Sequence, residues 1–216
     1  MLKDRLDFLR GPGGFRAAAY FGLKLATRVE AFRLVWTVTE PSTIPIRKPD
    51  LTYISLHELK ALADLPEECV AQLATQCGTH PEQLLARGGS LHLLLKGTAL
   101  MAQLSIDHGP AGHMDSPPLR LGLLPTDAFL GYLYTWPHAR RQGAAVQLIK
   151  STVCDLGHRG THRVFSHVRA TNVPSLAAFE QAGWKYCATL LCTPAGRLIM
   201  APGASGAGLT LRPLEP

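Results

Sequence analysis

The sequence predicts a mixed α/β (α+β) domain, and three features indicate this fold class. Residues 128–135 (AFLGYLYT) form an apolar run typical of a strand, and residues 163–168 are predicted as a second strand. Residues 143–156 between them carry apolar side chains at helical intervals. Residues 91–95 and 99–106 are apolar and meet at Lys96-Gly97-Thr98, which predicts a hairpin. Because 46% of the residues are hydrophobic and only 18% are charged, we expect the chain to fold around a core.

Residues 1–48 are predicted to form an N-terminal extension of a main domain at residues 49–216. The extension comprises an amphipathic helix at residues 15–29, a strand at residues 32–39 (FRLVWTVT) and a proline-rich linker. The apolar stripe of the helix needs a partner, so we expect it to dock on the main domain or on a second copy of the chain. Membrane contact through this helix is the less favoured alternative.

Within the main domain, the order of elements predicts helices before a sheet. Residues 51–56 are predicted as a strand, and helices are expected at residues 57–65, 66–77 and 81–87. After the hairpin, residues 107–118 are rich in Gly, Pro and His and are predicted to be a loop. The remaining predictions are a short helix at 175–181, strands at 184–192 and 197–200, and a loose tail at 201–216 with an edge strand at 209–211.

Charge and cysteine content limit the function classes. Residues 1–30 supply half of the net charge of +6, which suits an anionic ligand. Nucleic-acid binding is not expected, because no basic stripe interleaved with aromatic residues occurs in the fold-bearing region. The five cysteines include no CxxC pair, and the N-terminus lacks a secretory signal, so reduced thiols and a cytoplasmic location are expected.

Two other groups of residues could carry chemistry, and neither is favoured. Asp107, His108, His113 and Asp115 lie close together, but no spacing among them matches a zinc motif, so no metal is predicted. Cys154 lies in the middle of a predicted helix, and the sequence indicates no paired histidine, so we interpret it as a core thiol.

The most informative stretch is residues 133–149 (LYTWPHARRQGAAVQLI). It reads as a strand, a short loop with two arginines and a glycine, and a helix that begins with two alanines. The first N–H groups of a helix have no partner within it, and the helix dipole adds positive charge there, so such a turn suits phosphate oxygens. The alternative is that this loop only caps a surface helix. The Lys-Ser/Thr of a nucleotide P-loop and the GxGxxG fingerprint are both absent.

Two blocks resemble the GCN5-related N-acetyltransferase (GNAT) superfamily. RRQGAA at residues 140–145 is similar to the family's acetyl-CoA signature, Arg/Gln-x-x-Gly-x-Gly/Ala. NVPSLAAFEQAGW at residues 172–184 is similar to its second block, which also follows a strand. The resemblance spans about residues 51–200 and implies a mixed, mostly antiparallel sheet flanked by helices.

The resemblance also implies a coenzyme site. Main-chain groups of residues 141–145 and the two arginine side chains would hold the pyrophosphate, and the strand end at residues 134–136 would pair with the pantetheine amides. Asn172 would contact the pantetheine arm and Ser175 a phosphate. In this family the fourth and fifth strands separate, so the thioester would enter between Tyr134 and the strand at residues 163–168. The implied coenzyme-binding residues are Tyr134, Thr135, Trp136, Arg140, Arg141, Gln142, Gly143, Ala144, Ala145, Asn172, Ser175 and Phe179.

One position departs from the family pattern. The family's usual general acid is a tyrosine in the second block, where this sequence has Phe179, which cannot donate a proton. A water or the hydroxyl of Tyr134 or Tyr186 could protonate the leaving thiol instead. Asp127, Tyr132 and Tyr134 are candidates for a base at the amine, and their alternative roles are a turn residue and two packed tyrosines.

The predicted function is therefore acyl-CoA-dependent N-acyl transfer, most simply of acetyl from acetyl-CoA to a primary amine on a small molecule or protein. Direct attack in a ternary complex is expected, without a metal. A non-catalytic acyl-CoA-binding or assembly module is one alternative, favoured by Phe179 and the basic extension. A transferase that uses a longer acyl-CoA or an acyl-carrier protein is the other.

Overall fold

Strands form most of the fold and helices cover it. The structure, a computed structural model, describes residues 29–41, 50–115, 117–193 and 197–213. Within these residues there are eleven strands: β1 (Glu30–Val38), β2 (Leu51–Leu56), β3 (Ser90–Lys96), β4 (Ala99–His108), β5 (Ala111–Asp115), β6 (Pro118–Gly122), β7 (Asp127–Thr135), β8 (Arg163–Arg169), β9 (Lys185–Cys192), β10 (Leu198–Met200) and β11 (Thr210–Pro213). The four α-helices there are α1 (Glu67–Thr75), α2 (Pro81–Ala86), α3 (Ala144–His158) and α4 (Val173–Gln181).

Eight strands form one mixed sheet, in the order β10-β9-β1-β8-β7-β4-β3-β2. Only β7 and β8 pair in parallel, and every other neighbouring pair is antiparallel. Helix α3 connects the two parallel strands, as the βαβ unit requires. The predicted fold class, a mostly antiparallel sheet with flanking helices, is confirmed.

Strand β1 lies inside the sheet although it comes first in the described chain. It pairs with β8 on one side and β9 on the other, from Phe32 opposite Arg169 to Val38 opposite Arg163. Its central residues Leu34 and Val35 are buried. This part of the predicted N-terminal extension is therefore built into the sheet. The predicted helix at residues 15–29 lies, except for Val29, outside the described residues, as do residues 42–49 of the predicted linker.

The sheet has a packed core on each face. On one face, Leu148 and Ile149 of α3 pack with Leu130 of β7 and Val164 of β8. On the other face, a three-stranded antiparallel sheet, ordered β11-β6-β5, covers a second cluster that includes Phe129. Each fully buried side chain of this size contributes about 1.5–3 kcal/mol to folding. The two cores fix the parallel strands from both sides.

The prediction of a loop at residues 107–118 is wrong. Strand β4 continues to His108, and residues 111–115 form β5, which pairs with β6 from Asp115 opposite Pro118. Gly112 lies so close to Phe129 that a Cβ atom there would be 2.5 Å from the Phe129 Cβ. The glycine that suggested a loop is therefore a strand residue under an aromatic ring.

Two further segments differ from the prediction. Residues 57–65 form only a short 3₁₀ turn at Leu59–Leu62 instead of a helix. Residues 201–213 are not a loose tail, because β11 pairs with β6, and Ala204 and Leu209 are buried in the second core. None of the helices in the described ranges is long and apolar enough to cross a membrane.

A polar cluster is buried beneath the C-terminal half of α3. The hydroxyl of Tyr53 lies 2.7 Å from Nδ1 of His92, and Ser90 Oγ lies 2.9 Å from Nε2 of both His92 and His108. Asp155 of α3 lies 3.7 Å from His57, which packs edge-on against His92. These contacts attach α3 to the sheet at the end of the helix opposite its first turn.

Burial in this cluster makes the fold sensitive to acid. Burial, followed by neighbouring positive groups, lowers the pKa of His57, His92 and His108 below 6.5. The unfolded chain, with pKa values near 6.5, therefore binds more protons below this pH. Stability is complete above about pH 6.5 and declines as the pH falls.

We expect a urea titration at pH 5.5 to give a lower free energy of unfolding than one at pH 7.5. Fully buried His92, whose pKa is lowered well below 6.5 by burial, contributes to this loss. The variant His92→Gln has no titratable group at this position, so its free energy of unfolding should differ less between pH 5.5 and pH 7.5. An equal difference in the variant and the parent protein would contradict the assignment.

Candidate active site

The two parallel strands separate along their length. Strands β7 and β8 pair only from Asp127 opposite Arg163 to Leu130 opposite Ser166, although β7 continues to Thr135 and β8 to Arg169. The Ser166 hydroxyl donates a hydrogen bond of 2.9 Å to the Leu130 carbonyl at the last paired position. This contact closes the narrow end of a V-shaped opening in the sheet.

A β-bulge lies where the strands begin to separate. Ser105 of β4 pairs with Tyr132 and Ile106 with Leu130, so Gly131 is an extra residue in β7. The Tyr132 N–H donates to the Ser105 hydroxyl at 3.0 Å. A bulge bends its strand and changes which face the later side chains occupy. Leu133 consequently packs in the α3 core, and the alternating residues Tyr132 and Tyr134 project from the other face.

A cavity of about 640 Å³ occupies the opening. From the face that carries α3 and α4 it is lined by Pro174, Ser175 and Phe179 of α4. From the other face it is lined by Phe32 and His167, which belong to β1 and β8. The cavity therefore connects the two faces of the sheet, so two reactants could approach the same point from opposite sides.

The first turn of α3 lies next to the wide end of this opening. Gly143 precedes the helix with φ of 78° and Arg141 has φ of 59°, so the loop passes twice through the left-handed region. Glycine has no steric penalty there. Apart from its two chain neighbours, no described residue has an atom within 4 Å of a Cβ atom added at Gly143. The approach to the helix terminus is therefore open on this side.

The main-chain donors of this turn are available for an anion. Within the described parts of the chain, the N–H groups of Arg141, Gly143, Ala144 and Ala145 make no hydrogen bond to another residue. Gln147 is the first residue whose N–H donates into the turn, to the Gly143 carbonyl at 2.9 Å. Unpaired donors and the dipole of a fifteen-residue helix together favour an anion here.

Side chains hold the loop in place. Arg140 Nε donates to the Thr135 carbonyl at 3.2 Å, and the guanidinium lies 5.8 Å from the centre of the Tyr134 ring. The Gln142 side-chain amide donates to the His138 carbonyl at 2.6 Å. Arg140 and Arg141 are both exposed, so their charges can reach a ligand at the turn. The main-chain N–H of Trp136 donates a hydrogen bond of 3.0 Å to the Met101 carbonyl, which attaches the strand end to β4.

The second predicted block forms one wall of the cavity. The Asn172 side chain caps α4 by accepting a hydrogen bond of 3.3 Å from the Ser175 N–H, and both residues line the cavity. Phe179 is 3% exposed and packs edge-to-face on Trp184, with ring centres 4.8 Å apart. The residue that replaces the expected tyrosine is therefore at the cavity but serves as an apolar wall.

The three predicted catalytic residues lie in different places. Asp127 is buried at the closed end of β7, where it accepts hydrogen bonds from Arg163 at 2.9 and 2.7 Å. Tyr186 is 54% exposed on β9 and lies 2.9 Å from the Thr189 hydroxyl, two strands away from β8. Tyr134 lies near the open end of β7, beneath Arg140. None of the three is among the residues that line the cavity, although Tyr134 directly follows Leu133, which does line it.

Phe32 and His167 are among the cavity residues that were not identified from the sequence. Phe32 lies in the N-terminal region that was considered a separate extension, and His167 is a single histidine in a strand. Neither is part of a spaced motif, so only the pairing of β1, β8 and β7 brings them together. Asp107 and His113, weighed above as metal ligands, contact each other, and Asp107 also accepts from Arg87 at 2.7 Å. No metal-binding group of three or more His, Cys, Asp or Glu occurs in the described ranges.

Separated parallel strands beside an open helix terminus define the class of protein as one with a GNAT-type fold. The Acetyltransferase (GNAT) family model matches residues 72–184, slightly more than half of the chain. The chain belongs to this family. No curated protein sequence matches the chain significantly.

Several solved structures share the fold. A GNAT-family protein from Novosphingobium aromaticivorans, described as a putative acetyltransferase, superposes with a TM-score of 0.50 at 20% identity, covering 76% of this chain and 63% of its own. A GCN5-related N-acetyltransferase from Kribbella flavida has a TM-score of 0.50 at 12% identity, covering 83% and 61%. One from Sphaerobacter thermophilus has a TM-score of 0.50 at 12% identity, covering 92% and 57%. This chain thus spans about 60% of the length of these proteins.

Proposed function

We propose that this chain is an acyl-CoA-dependent N-acyltransferase that transfers an acetyl group from acetyl-CoA to a primary amine. The observation that carries the proposal is the set of N–H groups of Arg141, Gly143, Ala144 and Ala145, which make no hydrogen bond to another described residue and lie beside the opening between β7 and β8. Each charge-assisted hydrogen bond from this turn to a diphosphate contributes about 1.5–3 kcal/mol. Arg140 and Arg141 add positive charge from side chains.

The rest of the coenzyme site follows from the strands. The edge of β7 at residues 134–136 pairs with the pantetheine amides, because β8 has already diverged from it. Asn172 and Ser175 contact the arm from α4, and Phe179 packs against it. The thioester then lies in the cavity, near the last paired residues Leu130 and Ser166.

The amine approaches from the face that carries Phe32 and His167. Its nitrogen attacks the thioester carbonyl carbon directly, and the coenzyme thiol leaves, so no covalent acyl-enzyme forms. Because Phe179 cannot donate a proton, a water or the Tyr134 hydroxyl protonates the thiolate. A thiol pKa near 8.5 makes this leaving group acceptable at neutral pH.

The proposal is tested by mixing the purified protein with acetyl-CoA and a panel of small amines and lysine-containing peptides, and following free thiol. We expect amine-dependent thiol release well above hydrolysis without protein. Acetyl-CoA binding in a calorimeter without thiol release from any amine would favour a non-catalytic binding module. Faster release from longer acyl-CoA donors would instead assign a different acyl group to the same site.

A further inference from the structure

Among the described residues that line the cavity, one is a histidine, His167. We propose that His167 is the general base that deprotonates the attacking amine, an inference that rests on the proposed function. His167 is half-buried on β8 and lines the cavity from the face opposite α3 and α4. It therefore lies on the side from which the amine is expected to approach.

The packing around His167 positions the imidazole. Its ring stacks on Phe129 of β7, with centres 5.7 Å apart and planes at 11°, and lies 5.9 Å from the Phe32 ring of β1. Phe32 and Phe129 are both fully buried. A ring held between two fixed aromatic side chains loses few conformations when substrate binds, which favours a catalytic geometry. The stacked aromatic residues thus orient His167 at the border of the opening.

The chemistry requires a base of this kind. An alkylamine with a pKa near 10.4 is only about 0.04% neutral at pH 7. Forming the neutral amine at this pH therefore costs about 4.6 kcal/mol. Histidine ordinarily changes charge between pH 5 and 8, whereas a neutral tyrosine cannot accept this proton. Burial, followed by Tyr134 and Cys77, raises the pKa of Tyr132, the phenol that also lines the cavity. His167 is therefore the better acceptor.

The proposed step balances as follows. A neutral imidazole nitrogen of His167 takes one proton from the ammonium group, and the freed lone pair forms the C–N bond to the thioester carbonyl carbon. The carbonyl re-forms as the C–S bond breaks, and the amide nitrogen loses its second proton to solvent. The thiolate takes one proton from solvent, and the imidazolium returns its proton there. The ammonium ion and the thioester thus give the amide, the thiol and one proton released to solvent.

Other titratable and charged groups surround this region and belong to the same pH analysis. Arg169 follows His167 on the same strand face and lies 3.4 Å from Glu30 of β1. Tyr132 of β7 lines the cavity, and the main chain of His113 in β5 lies close to Gly131. Glu30 and Arg169 carry opposite charges and form an ion pair. The pH dependence of kcat/KM between pH 5 and 8 is therefore assigned to the imidazole of His167.

The test compares the parent protein with His167→Gln, which retains a polar side chain but cannot titrate in this range. The probes are acetyl-CoA and the best alkylamine of the panel. We expect the variant to keep the acetyl-CoA Kd within about twofold while kcat/KM falls by about 10²-fold or more. The acidic limb of the pH profile should disappear. With an arylamine that is neutral at pH 7, kcat/KM of the variant should be less than about tenfold below that of the parent protein.

A structural role would not give this selectivity between amines. The assignment is overturned if His167→Gln keeps the parent kcat/KM and pH profile with the alkylamine. It is also overturned if kcat/KM falls by the same factor with the alkylamine and the arylamine. An absence of turnover by the parent protein overturns the proposed function as well. If the variant does not fold, NMR titration of the parent imidazole decides the question. Its protonation must coincide with the acidic limb of kcat/KM, and a midpoint more than one pH unit away overturns the assignment.

Discussion

Replacing Gly143 by aspartate should weaken acetyl-CoA binding by at least about 100-fold, or about 2.7 kcal/mol. The carboxylate would occupy the open approach to the first turn of α3 and place a negative charge where the diphosphate is expected. The fold should tolerate the change, because aspartate is among the residues that visit the left-handed region, and its charge suits a helix N-terminus. Calorimetry gives the Kd, and urea unfolding should show a change below about 1 kcal/mol.

The same helix offers a matched control at its other end. Gly160 has φ of 82° and, like Gly143, would place a new Cβ atom more than 4 Å from every described residue except its two chain neighbours. Gly160→Asp therefore has a similar backbone strain but adds its charge far from the proposed diphosphate. It should leave the acetyl-CoA Kd unchanged. Equal weakening by both variants would show that the charge acts through the fold instead of at the turn.

Removing the Asp127 carboxylate should destabilise the protein without abolishing turnover. Asp127 is 2% exposed and accepts two hydrogen bonds from Arg163 and one of 3.1 Å from the Leu124 N–H. Asp127→Ala leaves these donors without their acceptor, so we expect a loss of about 3 kcal/mol in the free energy of unfolding. At a temperature where the variant is folded, kcat/KM should stay within about threefold of the parent value.

An exposed ion pair gives the comparison for this variant. Asp50 lies 2.9 Å from Lys96, and both side chains are about half exposed. Asp50→Ala should cost less than about 1 kcal/mol, because solvent screens such pairs. Should Asp127→Ala instead remain as stable as the parent and lose more than about 100-fold in kcat/KM, Asp127 would be a catalytic residue after all.

The parts of the fold that sequence predicted are those encoded locally. The turn at residues 140–145 was identified because a strand, two arginines, a glycine and a helix follow one another within a few residues. The position of β1 could not be predicted, since its partners β8 and β9 lie more than 120 residues away in sequence. The composition of residues 107–118, which are rich in Gly, Pro and His, predicts a loop where the structure has strand β5. The close contact with the Phe129 side chain explains why this strand contains Gly112.

The candidate site, like the fold, could be predicted only where its residues are close together in the sequence. Spacing alone indicated an anion-binding turn, and the family resemblance added the contacts expected from Asn172 and Ser175. No sequence pattern indicated His167, because a single histidine in a strand has no characteristic spacing. The position of His167 in the cavity depends on where β7 and β8 separate. Asp127 was considered for its proximity to the β7 strand, but it lies at the closed end of β7, where Arg163 holds its carboxylate.

The central claim is that main-chain N–H groups around Gly143 bind the diphosphate of the acyl-coenzyme A. Amide NMR spectra of ¹⁵N-labelled protein, titrated with coenzyme A and separately with pantetheine, test this most directly. We predict that the Gly143, Ala144 and Ala145 amide protons move downfield with coenzyme A and far less with pantetheine, which has no diphosphate. Saturation with coenzyme A while these three resonances stay in place would contradict the claim.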